Sequence, residues 1–221
     1  MSSTGRDIVL FGPPGVGKGA QASILSDRYG LVHCSTGDVI RDEIARGTAL
    51  GRRVAEAVAR GDFADDETVL QIVMQRIDRP EFQPGFVMDG FPRTVTQAER
   101  FDQLLKERKR GIDHALFISA PEEVVLQRLG GRLICKECGK TYHKQFRRPR
   151  LKNVCNECSG PLVSRHDDSP DVHRERLHAY VEKTAPLASY YRDAAVLREI
   201  DGSASIEDVA DLIGGAINGV S

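Results

Sequence analysis

The stretch Ile8-Val9-Leu10-Phe11-Gly12-Pro13-Pro14-Gly15-Val16-Gly17-Lys18 decides the fold. Four consecutive apolar residues stop at a glycine–proline cluster, which predicts a short strand buried on both faces, as in a parallel sheet. Gly12 to Lys18 then has the spacing G-x-x-x-x-G-K, and the residues after Lys18 read as a helix. Glycines let backbone N–H groups turn inward around a phosphate. The helix N-terminus adds its positive end, and Lys18 adds a full charge.

Working outward, similar short apolar runs recur at Leu31–Cys34, Phe86–Asp89, His114–Ser119 and Val196–Ile200, with longer segments of helical spacing between them. This alternation predicts an α/β fold of three layers around an open, mostly parallel sheet of about five strands. Two stretches interrupt it. From Thr36 to Ala64, Val39, Ile40, Ile44, Leu50, Val54 and Val58 recur at helical intervals broken by Gly47 and Gly51, which predicts a small helical insert. From Arg132 to Arg165 the chain is rich in Lys, Arg, Cys, Gly and Pro with no long periodic segment, so this piece needs an outside staple to fold. The expected division is a core of 1–35, 65–130 and 169–221, an insert of 36–64 and a lid of 131–168.

The cysteines supply the staple. Cys135-x2-Cys138 and Cys155-x2-Cys158 are separated by sixteen residues, the spacing of a zinc knuckle pair in which four thiolates complete a tetrahedron. A closed four-cysteine shell leaves no position for water, so the expected Zn²⁺ is structural. Cys34 stands apart and reads as a small buried residue.

At 221 residues, with 40% hydrophobic and 29% charged residues, the chain can bury a core without disulfides. A net charge of -1 gives no global reason to expect nucleic acid or an anionic membrane. The polar N-terminus and the short Ile8–Phe11 run carry no leader or membrane-span pattern, so a cytoplasmic protein is expected.

Position 19 is glycine, where P-loop nucleotide triphosphatases in general place the Ser or Thr that holds Mg²⁺. With this departure the loop resembles that of the nucleoside monophosphate kinases, G-x-P-G-x-G-K-G-T, whose closing threonine is here Ala20. Ser35-Thr36-Gly37-Asp38 with Arg41, and Asp89-Gly90-Phe91-Pro92-Arg93-Thr94 with Gln97, are similar to the acceptor-site motifs of that family. The cysteine pairs resemble the zinc-bearing lid of the long-lid adenylate kinases, and the resemblance covers nearly the whole chain.

This resemblance implies phosphoryl transfer from Mg·ATP to AMP, giving two ADP. It places Gly15, Val16, Gly17, Lys18, Gly19 and Ala20 around the ATP phosphates, and Arg128, Thr141, Tyr142 and the backbone of Ala204 against ATP. For AMP it implies Arg41 and Arg93 as a phosphate clamp, with Thr36, Gln97, Asp62, Phe63, Ala64, Gly90, Phe91 and Pro92 nearby. Arg132, Arg165 and Arg176 are expected to close over the phosphates, with Lys18 and Arg93, as the catalytic set. Asp167 and Asp168 resemble lid-hinge acids. Asp89, ending an apolar strand, is suited to hold a magnesium-bound water.

Physical chemistry asks for the same composition. Two phosphate-bearing substrates repel each other, and guanidinium forks neutralise phosphate oxygens bidentately. A loose transition state makes alignment and charge stabilisation the main task, so no poised base is needed, and the six histidines read as structural or surface groups.

The competing reading is a zinc ribbon for nucleic acid on a P-loop ATPase, since Arg132–Arg165 holds nine Lys or Arg against Glu137 and Glu157. Only Tyr142 and Phe146 offer aromatic rings there, and four thiolates on zinc carry about -2 of charge for the lysines to balance. ATP and AMP are therefore the expected partners, with no nucleic acid and no membrane, and the family norm is a monomer. A kinase for UMP/CMP or GMP is the alternative within the family; the long lid favours the adenylate branch.

Overall fold

The computed structural model describes residues 6–60, 64–164 and 170–219. Strand β1 (Arg6–Phe11) runs into the glycine-rich loop and helix α1 (Lys18–Tyr29), followed by β2 (Val32–Ser35), α2 (Thr36–Ala45), α3 (Ala49–Arg60) and α4 (Asp66–Ile77). Next come β3 (Gly85–Asp89), α5 (Val95–Glu107), β4 (His114–Ser119) and α6 (Glu122–Leu129). Three short strands follow, β5 (Arg132–Cys135), β6 (Thr141–His143) and β7 (Leu162–Val163). The chain returns through α7 (Pro170–Ala179), a π-helical turn (Tyr180–Thr184), α8 (Leu187–Asp193), β8 (Leu197–Asp201) and α9 (Ile206–Asn218).

The main sheet has five parallel strands in the order β2-β3-β1-β4-β8. Its central strands β1 and β3 are apolar on both faces because helices cover both. Along β1, Ile8 and Leu10 pack with Leu25, Val209 and Ile213 on one side. Val9 and Phe11 pack with Ile72, Phe101 and Tyr191 on the other. Successive side chains thus feed opposite layers, and none of the four is more than 2% exposed. Ligand crevices in such sheets open beyond the carboxyl ends of the strands, which is where the glycine loop after β1 and Asp89 at the end of β3 lie.

One expectation about the helical insert needs correction. Gly47, at φ 62, separates α2 from α3 as a left-handed turn residue, but Gly51 lies inside α3 and breaks nothing. A Cβ there would stand 2.1 Å from the Glu43 carbonyl oxygen, so the glycine is required for the close crossing of the two helices.

The segment read as irregular contains a second sheet, antiparallel, in the order β6-β5-β7. Among the described residues its core is Leu133, Cys135, Tyr142, Cys155 and Leu162. No described helix is long and apolar enough to cross a membrane.

Candidate functional site

Each phosphate-loop element follows from local chemistry. Gly12, Gly15 and Gly17 have φ of 143, 85 and 107, conformations that side-chain-bearing residues rarely adopt. At Gly12 a Cβ would sit 2.0 Å from the Ile118 carbonyl oxygen, so the loop can leave β1 against β4 only as glycine. Helix α1 begins at Lys18 with no side-chain cap, leaving its first N–H groups for a ligand. The Lys18 ammonium bends back over the loop and donates to the carbonyls of Gly12 and Pro13, both at 2.8 Å.

The loop forms one wall of a cleft of about 1390 Å³. Pockets for one drug-sized ligand occupy roughly 300–1,000 Å³, so this one has room for two nucleotides. Gly15, Val16, Gly17, Lys18, Gly19 and Ala20 line it on one side. Arg41, Asp89, Gly90, Pro92 and Arg93 line it on another, and Arg128, Arg132, Thr141, Tyr142, Arg176 and Ala204 also face it.

The charges act on one another. Lys18 is pushed down to about 8, first by withdrawal from water and then by Arg93 and Arg132, while Asp89 works to raise it. Arg93 is lowered by burial and by the charges of Arg176 and Arg41, with Asp89 opposing. Burial would raise Asp89, but His33, Lys18 and Arg93 together hold it below the ordinary carboxylate range. The cleft therefore gathers Lys18, Arg41, Arg93, Arg128, Arg132 and Arg176 with the ionised Asp89 among them, an electrostatic field that phosphates would relieve.

Arg93 is held from three directions. Its backbone N–H donates to Gln97 Oε1 at 2.7 Å, its carbonyl accepts from Thr184 Oγ1 at 2.9 Å, and its Nε donates to the Gly90 carbonyl at 2.7 Å. Gln97 in turn donates through Nε2 to Asp66 at 2.7 Å, which ties α5 to α4. Thr184 reaches Arg93 from the π-helical turn, a device common at functional sites. Arg41 is paired with Asp38.

Four predicted residues lie behind the cleft wall. Thr36 is buried with its hydroxyl on the Met88 sulfur at 3.5 Å, and Phe91 packs edge-on against Phe101. Gln97 and Ala64 are also buried. Asp62, Phe63 and Arg165, with Asp167 and Asp168, lie outside the described residues.

Other residues of the cleft escaped the sequence reading. His33, expected from sequence to be a structural or surface group, lines the cleft with Nε2 3.9 Å from Asp89 Oδ2. Its place near the carboxyl end of β2 was the available signal. Phe146 is the exposed ring beneath the guanidinium of Arg128, 5.9 Å away, and packs in a tilted contact against His143 at 4.7 Å. Arg128 itself donates to the carbonyls of Gly202 at 2.5 Å and of Ser203 and Ala204 at 3.1 Å. His143 lines the cleft and also ties the lid to α6. Its Nδ1 accepts from the N–H groups of Gln145 and Phe146, so Nε2 carries the proton and donates to the Arg128 carbonyl at 3.0 Å. Sequence spacing gives no sign of these contacts because the lid turns are irregular.

The four cysteines form one cluster. Their Sγ atoms lie within 4.8 Å of one another, with two pairs at 3.4 and 3.6 Å. Thiolates about 2.3 Å from one tetrahedral ion would be roughly 3.8 Å apart, so the donor set fits. Two matching turns present them. Gly139 N–H donates to the Cys135 carbonyl and Ser159 N–H to the Cys155 carbonyl, both at 3.1 Å, with φ of 72 and 61 closing each turn. Burial works against ionising Cys155, but Tyr142 and backbone N–H groups bring it down to about 6. The Gly160 N–H favours the Cys158 thiolate, yet its cysteine neighbours push it up to about 12. Cys155 forms a thiolate readily, and a bound cation would favour the thiolate at Cys158 as well. Cys34 is raised to about 12 by burial and takes no part.

Against known proteins, residues 10–196 match the adenylate kinase family. The chain is 40% identical to the adenylate kinase of Acetivibrio thermocellus over 96% of this chain and 98% of that protein. It is 41% identical to the adenylate kinase of Archaeoglobus fulgidus over 92% and 94%. With that of Desulfitobacterium hafniense it shares 44% identity over 91% and 93%.

Proposed function

The chain belongs to the adenylate kinase family, and from that premise we propose that it transfers the γ-phosphoryl group of ATP to AMP, giving two ADP. The observation that carries this is the single cleft, large enough for two nucleotides, with Lys18, Arg41, Arg93, Arg128, Arg132 and Arg176 on its walls. ATP lies with its phosphates on Gly15–Ala20 and its adenine toward Arg128, Thr141, Tyr142 and Ala204. AMP takes the side of α2 and α3, its phosphate held by Arg41, Arg93, Arg165 and Arg176 and its base toward Thr36, Asp62–Ala64, Gly90–Pro92 and Gln97. The acceptor oxygen is already anionic, so these residues align the two phosphates and offset their repulsion.

Asp89 would hold Mg²⁺ through water, and the ion neutralises phosphate charge when bound. A Cβ at Gly19 would come 3.2 Å from Asp89 Oδ2, so the glycine at that position leaves room beside the carboxylate. Zn²⁺ is the metal assigned to Cys135, Cys138, Cys155 and Cys158, where it staples the lid. The division is a core of 1–35, 65–130 and 169–221, an AMP insert of 36–64 and a lid of 131–168. The same reading makes the protein a cytoplasmic monomer acting on free nucleotides rather than on nucleic acid.

A coupled assay of Mg·ATP with AMP, UMP, CMP and GMP in turn tests this. AMP should support turnover at least tenfold faster than the others, with two ADP formed per ATP consumed. Preference for another monophosphate would overturn the choice of base.

The lowered Lys18 gives a pH test. The folded protein without nucleotide sheds this proton above about pH 8, whereas an unperturbed lysine keeps it to about 10.4. Bound phosphate favours the charged form. Nucleotide binding near pH 9 should therefore take up a sizeable fraction of a proton, and binding near pH 7 almost none from this group. Calorimetry in two buffers of different ionisation enthalpy measures the difference, and equal uptake at the two pH values would contradict it.

A further inference from the structure

Tyr142 touches two functions at once. It lies in the middle of β6, paired with Leu133 of β5, and its ring is only 4% exposed among Leu133, Cys135, Cys155 and Leu162. The phenol oxygen accepts the Asn156 N–H at 2.8 Å. A phenol has a single proton, and the acceptor nearest to it is Cys155 Sγ at 3.4 Å. The same sulfur receives the Glu157 N–H at 3.4 Å. Tyr142 also belongs to the cleft wall, flanked there by Thr141 and His143. His143 bonds the Arg128 carbonyl and packs in a tilted contact against Phe146.

We infer that Tyr142 is a positioning residue shared by the metal centre and the nucleotide cleft, through which metal loading and ATP binding favour each other. The inference rests on the four-thiolate metal reading and on the ATP side of the cleft. Its physical basis is the size of the lid core. Five buried residues make a small lid core beside the β5–β6 ladder, and the Tyr142–Cys155 contact ties β6 to the sulfur cluster, so a shift of Cys155 carries the Tyr142 hydroxyl with it. Thr141, Tyr142 and His143 are consecutive on one three-residue strand, so the wall that meets the nucleotide moves as a unit. A coupling of this kind is reciprocal: what the metal does for ATP, ATP does for the metal.

Tyr142→Phe keeps the ring and removes the donor to sulfur. Partners of metal-bound groups are typically worth 10–100-fold in metal affinity. Zinc affinity of the full chain, measured by competition with a chromophoric chelator, should fall by about that factor at a temperature where circular dichroism shows both proteins folded. A non-hydrolysable ATP analogue should bind zinc-loaded wild type at least about fivefold more tightly than zinc-stripped wild type, and this ratio should shrink in Tyr142→Phe. Leu162→Ala, which trims the same core without removing a hydrogen bond to sulfur, should lower the melting temperature with a smaller loss of zinc affinity. Wild type that binds no zinc overturns the metal reading and this inference together. Zinc-binding wild type overturns the inference alone if Tyr142→Phe holds zinc equally well, if zinc leaves analogue affinity unchanged, or if Leu162→Ala matches Tyr142→Phe.

Discussion

Lys18→Ala should lower kcat by about 10²–10³-fold, the effect of losing one preorganised group that meets charge developing in the transition state, roughly 2.7–4 kcal/mol. The ammonium is placed for that task and for little else. It arches over its own loop on two carbonyl contacts and faces a cleft wall shared with Arg93 and Arg132. In a loose transition state the migrating group carries its charge on three equatorial oxygens, and a cation that travels with them cannot be replaced by water in a closed site. The fold should survive, because the loop's path is set by glycines and by β1 against β4 rather than by the lysine. Steady-state ADP formation and a thermal melt on the same preparation check both halves. A variant that melts normally and keeps wild-type kcat would remove the loop from the chemistry.

Legibility in the sequence followed the periodic signals. The central parallel strands were readable because each is a short apolar run ended by a turn, and the helices because their apolar residues recur at helical spacing. The four cysteines were readable because metal-ligand spacing is itself a local pattern, and folding brings all four together. What stayed hidden depends on contacts between distant residues. The lid sheet joins two- to four-residue strands, too short to show alternation. Gly51 looked like a break because its reason is the Glu43 carbonyl on a neighbouring helix.

The site divides in the same way. Lys18, Asp89 and Arg93 sit in motifs and were named from them. His33 sits in none, and its nearness to Asp89 arises only when β2 is laid beside β3, with Cys34 level with Met88 and Ser35 level with Asp89. Thr184 is likewise about ninety residues from Arg93 in sequence, and only the π-helical turn sets its hydroxyl on the Arg93 carbonyl. Motifs thus identify the charged residues of the cleft, whereas the groups that hold those residues still come from the packing.

Cys138→Ser should release zinc and lower the melting temperature by several degrees, while leaving the chemical step nearly intact well below that temperature. The lid core of Leu133, Cys135, Tyr142, Cys155 and Leu162 is so small that it offsets the conformational entropy of ordering the segment from β5 to β7 by only a narrow margin. Two of those five belong to the sulfur cluster, so metal binding adds much of the lid's stability, as in small domains where binding energy is folding energy. Serine is a poor ligand for zinc beside three thiolates, and it leaves the second turn, Cys155 and Cys158, without its tetrahedral partner. Cys138 is exposed, so the substitution opens no cavity in the core, and the stability lost is that of the metal site. A closed set of four thiolates has no position for a phosphate oxygen, which is why kcat should fall only a few-fold while the lid remains folded. The deciding comparison sets single-turnover rate, zinc content and melting temperature side by side in one variant. A protein that melts like wild type but has lost the phosphoryl-transfer step by orders of magnitude would show that the metal acts on the reaction itself.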